Sequence, residues 1–232
     1  MGQLNQSAPQ ELLEFLDSSC DMPASGKRLI ALMGQLGDFD SLEYAQALSA
    51  AAERHSKAGL GVVAIAIGND AGAERFCRFT KWPRRQLIVV PDNTLHLTLG
   101  LYAGLQVVGG PWPSLLLMCA GIGSPGTLAE VLRGYSGDAS ATQRLESKLF
   151  DLVGRGTLRP FELATVRLNN MIEVLGHWRT YVPRDDYLTQ RGATYLLDAD
   201  DCLLYCHLEK GLLGFSATMR NPLSFLEPYL NS

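Results

Sequence analysis

Leu29-Ile-Ala-Leu-Met33 and Gly61-Val-Val-Ala-Ile-Ala-Ile67, with the Ala-, Leu- and Glu-rich stretch 41–57 between them, set the architecture of this chain. Each apolar run is uninterrupted, as in a strand covered on both faces of its sheet. The first stops at Gly34, the second at Gly68-Asn69-Asp70, and Gly59 closes the helical stretch between them. The result is a strand, a crossover helix and a second, parallel strand, a unit that is right-handed and lays its helix against the sheet. Asp40 or Ser41 is the candidate N-cap of that helix, and Glu43 stands where a capping box from Asp40 would want it.

Outward from this unit, the pattern predicts a helix over 71–80, a third strand at Gln86-Leu-Ile-Val-Val90 and a short helix over 93–101. Residues 102–160 hold many Gly and Pro, with helices expected near 127–133 and 142–153, and read as part of an insertion over about 102–185. Beyond Pro160, Phe161, Ala164, Leu168, Met171, Leu175 and Trp178 recur at spacings of three and four. They share one helix face, expected to be the buried one, with Arg167, Asn170, Glu173 and His177 elsewhere. Residues 193–197 and 202–208 flank the polar turn Asp198-Ala-Asp-Asp201 as a hairpin, and 222–230 form a closing helix. Residues 1–25 read as an N-terminal extension whose short amphipathic piece, around Leu12, Leu13, Phe15 and Leu16, is suited to dock as a helix. Residues 26–232 then make one α/β domain.

With 47% hydrophobic and 19% charged residues, the 232-residue chain has the composition of a folded globular protein and not of a disordered one. A net charge of -4 provides no broad basic footprint, so no nucleic-acid partner is expected. The five cysteines, Cys20, Cys77, Cys119, Cys202 and Cys206, are an odd set without CxxC spacing, and the chain does not start with a basic segment and apolar core. A reducing cytoplasm is the expected location. The apolar run around 115–118 is far shorter than the roughly 20 residues that cross a bilayer, which leaves only peripheral membrane association open.

The element order resembles thioredoxin-like domains, a central mixed sheet with flanking helices. Gly61-Val-Val-Ala-Ile-Ala-Ile-Gly68, Phe76-Cys-Arg-Phe-Thr80, Ile88-Val-Val-Pro-Asp92 with Leu99-Gly-Leu101, and Gly192-Ala-Thr-Tyr-Leu-Leu-Asp198 are similar to segments of the peroxiredoxin-like branch of the AhpC/TSA family. The resemblance implies a redox cysteine between the first strand and its helix. Here that place reads Gly37-Asp-Phe-Asp-Ser41, so Asp38 and Ser41 occupy the two cysteine positions. Gln35-Leu-Gly-Asp-Phe-Asp-Ser-Leu-Glu-Tyr44 resembles a cysteine-free version from photosynthetic bacteria. A carboxylate cannot replace a thiolate in peroxide reduction or disulfide exchange. By this resemblance the expected protein is redox-inactive and works through a protein partner or homo-oligomer, in assembly or regulation. The alternative is a thiol-dependent antioxidant oxidoreductase with a relocated cysteine, Cys77 or Cys206.

Asp38, Asp40 and Ser41 have two readings. They cap a helix and satisfy its free N–H groups, or, with Gly37 and Gly192, they line a retained pocket for a neutral, cationic or peptide-backbone ligand. The family's supporting arginine would fall at Gly192, whereas this chain has Arg191 one position earlier, an offset that turns a strand side chain to the opposite face.

Gly121-Ile-Gly-Ser-Pro-Gly126 spells GxGxxG after the apolar run 115–119 and before a helix-like 127–133. It is a dinucleotide loop, or a simple turn in which Ser124 caps the helix and Pro125 opens it. Pro125 removes an amide and no strand follows within a βαβ unit, so no cofactor is expected. Cys202 and Cys206 share a strand face with His207 opposite, and the four histidines lack HxxxH spacing, so no metal is expected. Neither GxSxG nor a P-loop occurs.

Overall fold

The structure, a computed structural model, describes residues 6–19, 26–137 and 162–230. The helix expected over 142–153, Phe161 and Cys20 lie outside them.

Five strands form one mixed sheet. β1 (Arg28–Gln35), β2 (Gly61–Ile67) and β3 (Leu87–Val90) run parallel, β4 (Ala193–Leu197) pairs antiparallel with β1, and β5 (Leu203–Leu208) pairs antiparallel with β4, in the order β3-β2-β1-β4-β5. β1 is therefore central. All eight of its residues are buried, as an uninterrupted apolar run requires. Leu29, Ala31 and Met33 face one core with Phe76, Val174 and Phe215, and Ile30 and Leu32 face the other with Leu12 and Leu16. The latter two belong to α1 (Gln10–Ser19), which docks the amphipathic N-terminal piece. The arrangement is a sheet with flanking helices, consistent with the thioredoxin-like fold.

The helical stretch after β1 divides into α2 (Phe39–Ala50) and α3 (Ala52–Lys57). α4 (Asp70–Thr80) follows β2, capped by Asn69, whose side chain accepts from the Gly72 N–H at 2.9 Å. α5 (Thr94–Thr98) follows β3. The run 115–119 is helical, the C-terminal half of α6 (Pro111–Cys119), and precedes α7 (Thr127–Ser136). The GxGxxG loop thus joins two helices, without the strand that a dinucleotide fingerprint needs. Gly126 caps α7 in place of Ser124, and the Ser124 and Thr127 hydroxyls accept from the Leu212 N–H, each at 2.9 Å.

α8 (Glu162–Gly176) is turned around relative to its apolar spacing. Its buried positions are Glu162, Leu163, Val166, Asn170 and Val174, while Leu168 and Leu175 are 49% and 57% exposed. The polar residues determine this orientation. Arg167 donates to Glu43 at 2.8 Å, Asn170 exchanges amide bonds with Gln46, and Glu173 accepts from Arg75 at 2.6 Å. Trp178 falls in a separate turn, α9 (Trp178–Tyr181), and α10 (Glu227–Leu230) closes the described chain.

Candidate functional site at the mouth of the first crossover

β1 leaves the sheet through Leu36 and Gly37. A Cβ on Gly37 would sit 2.4 Å from Val182 Cγ2, so only glycine allows the segment after α9 to pack against this turn. Asp38 follows in extended conformation and caps α2, one carboxylate oxygen accepting from the Asp40 N–H at 3.4 Å. The cap is thus Asp38, ahead of both residues expected to fill that role, because the backbone is already helical from Phe39. Asp40 and Ser41 lie in the first turn and are 1% and 4% exposed. Glu43, freed from any capping box, turns to Arg167 and ties α2 to α8; Arg167 reaches on to Glu130 of α7 at 3.2 Å.

Arg191 overturns the expectation drawn from its one-residue offset. β4 begins only at Ala193, so strand alternation does not govern residue 191. Its N–H donates to Tyr102 O at 2.9 Å, and its side chain turns into the mouth of the crossover. There Nη1 donates to Asp38 Oδ2 at 2.8 Å, Nε to Thr189 O at 3.1 Å and Nη2 to Leu188 O at 3.3 Å. The residue is 1% exposed. A collar supports it: Gln190 donates to Tyr102 O and accepts from Asn93, and His96 is bonded through Nε2 to Met33 O at 2.7 Å. Burial, aided by Arg191, lowers the imidazole of His96 to about 4 and keeps it neutral.

Gly192 contributes backbone. A Cβ there would lie 2.0 Å from Leu32 O, so glycine is what lets the chain entering β4 approach β1. Its N–H donates to Glu209 Oε2 at 2.9 Å. Three carboxyls converge with Asp38 around the start of α2. Glu43 has Arg167, whereas Asp40 and Glu209 have no cationic bonding partner among the described residues; Asp40 Oδ2 accepts from the Gly214 N–H at 3.0 Å. Burial, together with Glu209 and Asp38, raises the Asp40 carboxyl well above its ordinary range. Burial pushes Glu209 up to about 7, against the Arg191 charge and the Gly192 N–H. Burial also raises Asp38, opposed by Arg191. The pair remains ionised, since protonating Asp38 would leave a fully buried guanidinium without its counter-ion.

The thiols are distributed unevenly with respect to this site. Cys77 is 8% exposed on α4, its pKa pushed up to about 11 by burial, with Arg84 and Glu74 as its charged influences. Cys206, half-buried on β5, is raised by burial alone. Neither fallback thiol feels the mouth of the crossover. Cys119 does: exposed at the end of α6, it is raised by burial and by the Asp38 charge and lowered by Arg191. Sequence reasoning missed it because it ends an apolar run and lacks a motif. Among the described residues no group of three or more His, Cys, Asp and Glu is arranged to hold a metal, and no helix is long and apolar enough to cross a membrane.

Chemically, the site is a helix N-terminus and a buried guanidinium that together favour an anion, with Asp38 as that anion. A family profile described as AhpC/TSA antioxidant enzyme matches residues 47–211. No curated protein and no solved structure matches the chain. The cysteine-free expectation is corrected by this match together with the five cysteines of the chain.

Proposed function

The chain belongs to the AhpC/TSA family, and we propose that it is a member acting by binding, in an assembly or regulatory role, in which the mouth of the first crossover does not reduce peroxide. One observation carries this reading: Arg191 Nη1 is bonded to Asp38 Oδ2 at 2.8 Å while the residue is 1% exposed. A peroxide-reducing thiolate needs a sulfur nucleophile, and cationic or N–H groups beside it to lower its pKa. Here the nucleophile's position holds a carboxylate, and all three guanidinium nitrogens are engaged, by that carboxylate and by two backbone carbonyls. Asp38, Ser41 and Gly37 serve as cap and turn, Gly192 as a close backbone approach, and Asp40 as a buried acid. In this reading the protein is cytoplasmic and its partner is another protein chain.

The test is peroxide consumption with a thiol reductant, for wild type and a variant with all five cysteines changed to serine. Both are expected to match the reductant blank. Cysteine-dependent turnover by the wild type overturns the reading.

A second reading, a thiol-dependent oxidoreductase, rests on the exposure of Cys119, whose thiol burial and the Asp38 charge raise and the Arg191 charge lowers. It requires turnover that Cys119→Ser abolishes and that Cys77→Ser and Cys206→Ser leave intact.

A further inference from the structure

We infer that Asp40 and Glu209 form a proton-operated latch: protonated, they hold the segment from Glu209 to Gly214 against the start of α2, and ionised, they release it. The inference goes beyond the binding role proposed above and does not depend on it.

Glu209-Lys-Gly-Leu-Leu-Gly214 leaves β5 without helix or strand of its own, so the groups it meets set its place. At one end Glu209 and Gly192 bond each other twice, the Glu209 N–H donating to Gly192 O at 3.0 Å and the Gly192 N–H to Glu209 Oε2 at 2.9 Å. At the other, the Gly214 N–H donates to Asp40 Oδ2 at 3.0 Å, and Gly214 O is bonded to His207 Nε2 of β5 at 2.6 Å. Between the ends, the Leu212 N–H is shared by the Ser124 and Thr127 hydroxyls at the start of α7. Each end is thus held by a carboxyl, Glu209 being 4% and Asp40 1% exposed.

Charge around the segment does not balance. The four carboxyls of Asp38, Asp40, Glu43 and Glu209 meet two guanidiniums, Arg191, bonded to Asp38, and Arg167, shared by Glu43 and Glu130. Lys210 points out to solvent, and burial keeps the Tyr44 and Tyr205 phenols neutral. Among the described residues no cation bonds Asp40 or Glu209. Asp40 Oδ1 is buried and has no hydrogen-bond partner among them either. As a neutral acid Asp40 needs no counter-ion, whereas as a carboxylate it would hold charge on an oxygen that no donor faces. A second ionised carboxyl, on Glu209, would add repulsion. Swinging the segment away relieves both, because it hydrates Oδ1 and parts Glu209 from Asp40.

The closed segment favours the neutral acids, and the open one lets them ionise normally. Closure is therefore strongest at low pH. Glu209, raised by burial from 4.5 to about 7, weakens closure as pH rises across that window, and Asp40, raised by burial and by Glu209 and Asp38, weakens it in the same direction. Release frees the Gly192 N–H next to Arg191 and the two hydroxyls at the start of α7, so rising pH opens the mouth of the first crossover to water.

The experiment is amide hydrogen exchange of the full chain from about pH 4.5 to about pH 8.5, each amide corrected for its intrinsic rate. The Leu212 and Gly214 amides of the wild type are expected to exchange ahead of those of β1 at every pH, as local opening requires, and to lose at least about tenfold of their protection across the window. Glu209→Gln and Asp40→Asn each keep an oxygen where the carboxyl accepted; each is expected to reduce that loss, and the two together to abolish it. Constant protection of the segment in the wild type overturns the inference, as does protection lost toward low pH. Segment amides that exchange only together with β1 also overturn it, since they would report global unfolding. So does a wild-type opening that the double variant retains. If the variants fail to fold, the direction of the wild-type profile and its lead over β1 decide.

Discussion

Arg191 and Asp38, 153 positions apart in sequence, meet at 2.8 Å where β1 gives way to α2. The guanidinium is 1% exposed and the Asp38 side chain 12% exposed, so the bond is made almost out of water. In that environment the pair stands or falls together, because either charge alone would be buried without compensation.

Removing one partner is therefore costly. Asp38→Ala is expected to lower unfolding free energy by about 3–5 kcal/mol, measured by urea denaturation. The double change Asp38→Ala/Arg191→Met is expected to recover part of that loss. A single substitution within about 0.5 kcal/mol of wild type would show that the pair is not a structural unit.

Asp38→Cys places a thiol at the N-terminus of α2 beside the freed guanidinium. Its pKa is expected to fall below the ordinary value of about 8.5, read from the pH dependence of alkylation in a Cys119→Ser background. A pKa at or above the ordinary value would mean that Arg191 and the helix terminus do not act on this position.

The buried acids yield a pH dependence of definite sign. Glu209 has its pKa raised in the folded state to about 7 from 4.5, so folding favours its protonated form. The stabilisation relative to the ionised form is complete at low pH, is lost as pH rises from about 4.5 to about 7, and stays lost above that. Asp38, Asp40, Arg191 and Tyr44 share this environment. Wild type minus Glu209→Gln is expected to fall by about 3 kcal/mol across that window, measured by denaturant unfolding at fixed pH values. A flat difference contradicts the buried acid.

Gly192→Ala is expected to destabilise by about 3 kcal/mol, since its methyl would lie 2.0 Å from Leu32 O and 3.0 Å from Leu32 C, both backbone atoms. Gly176→Ala, with nothing within 4 Å of its Cβ position, is the control and is expected to be neutral or slightly stabilising. Equal thermal midpoints for the two variants contradict the close approach of β4 to β1.

The sheet was legible because 29–33 and 61–67 are apolar without interruption and bounded by Gly, signals that burial on both faces enforces locally. Asp38 was legible as a residue of the crossover turn, through its place between strand and helix. Arg191 was misread because side-chain alternation holds only inside a strand, and where β4 begins depends on pairing with β1. The buried face of α8 was misread for a related reason. Spacing identifies an apolar stripe, but Arg167, Asn170 and Glu173 find partners on α2 and α4 that are far away in sequence, and those partners decide which side faces in. Cys119 carries no signal of its own; only the fold brings it into the field of Asp38 and Arg191.

Brief exposure of the reduced wild type to hydrogen peroxide with dimedone present, followed by peptide mass spectrometry, reports any cysteine that forms a sulfenic acid. With Asp38 holding the place of the nucleophile and Arg191 bonded to it, Cys119 is expected to be labelled no faster than a free thiol of the same peptide in denaturant. Rapid labelling of Cys119 in the folded protein, lost when Arg191 is replaced by Met, would contradict the account.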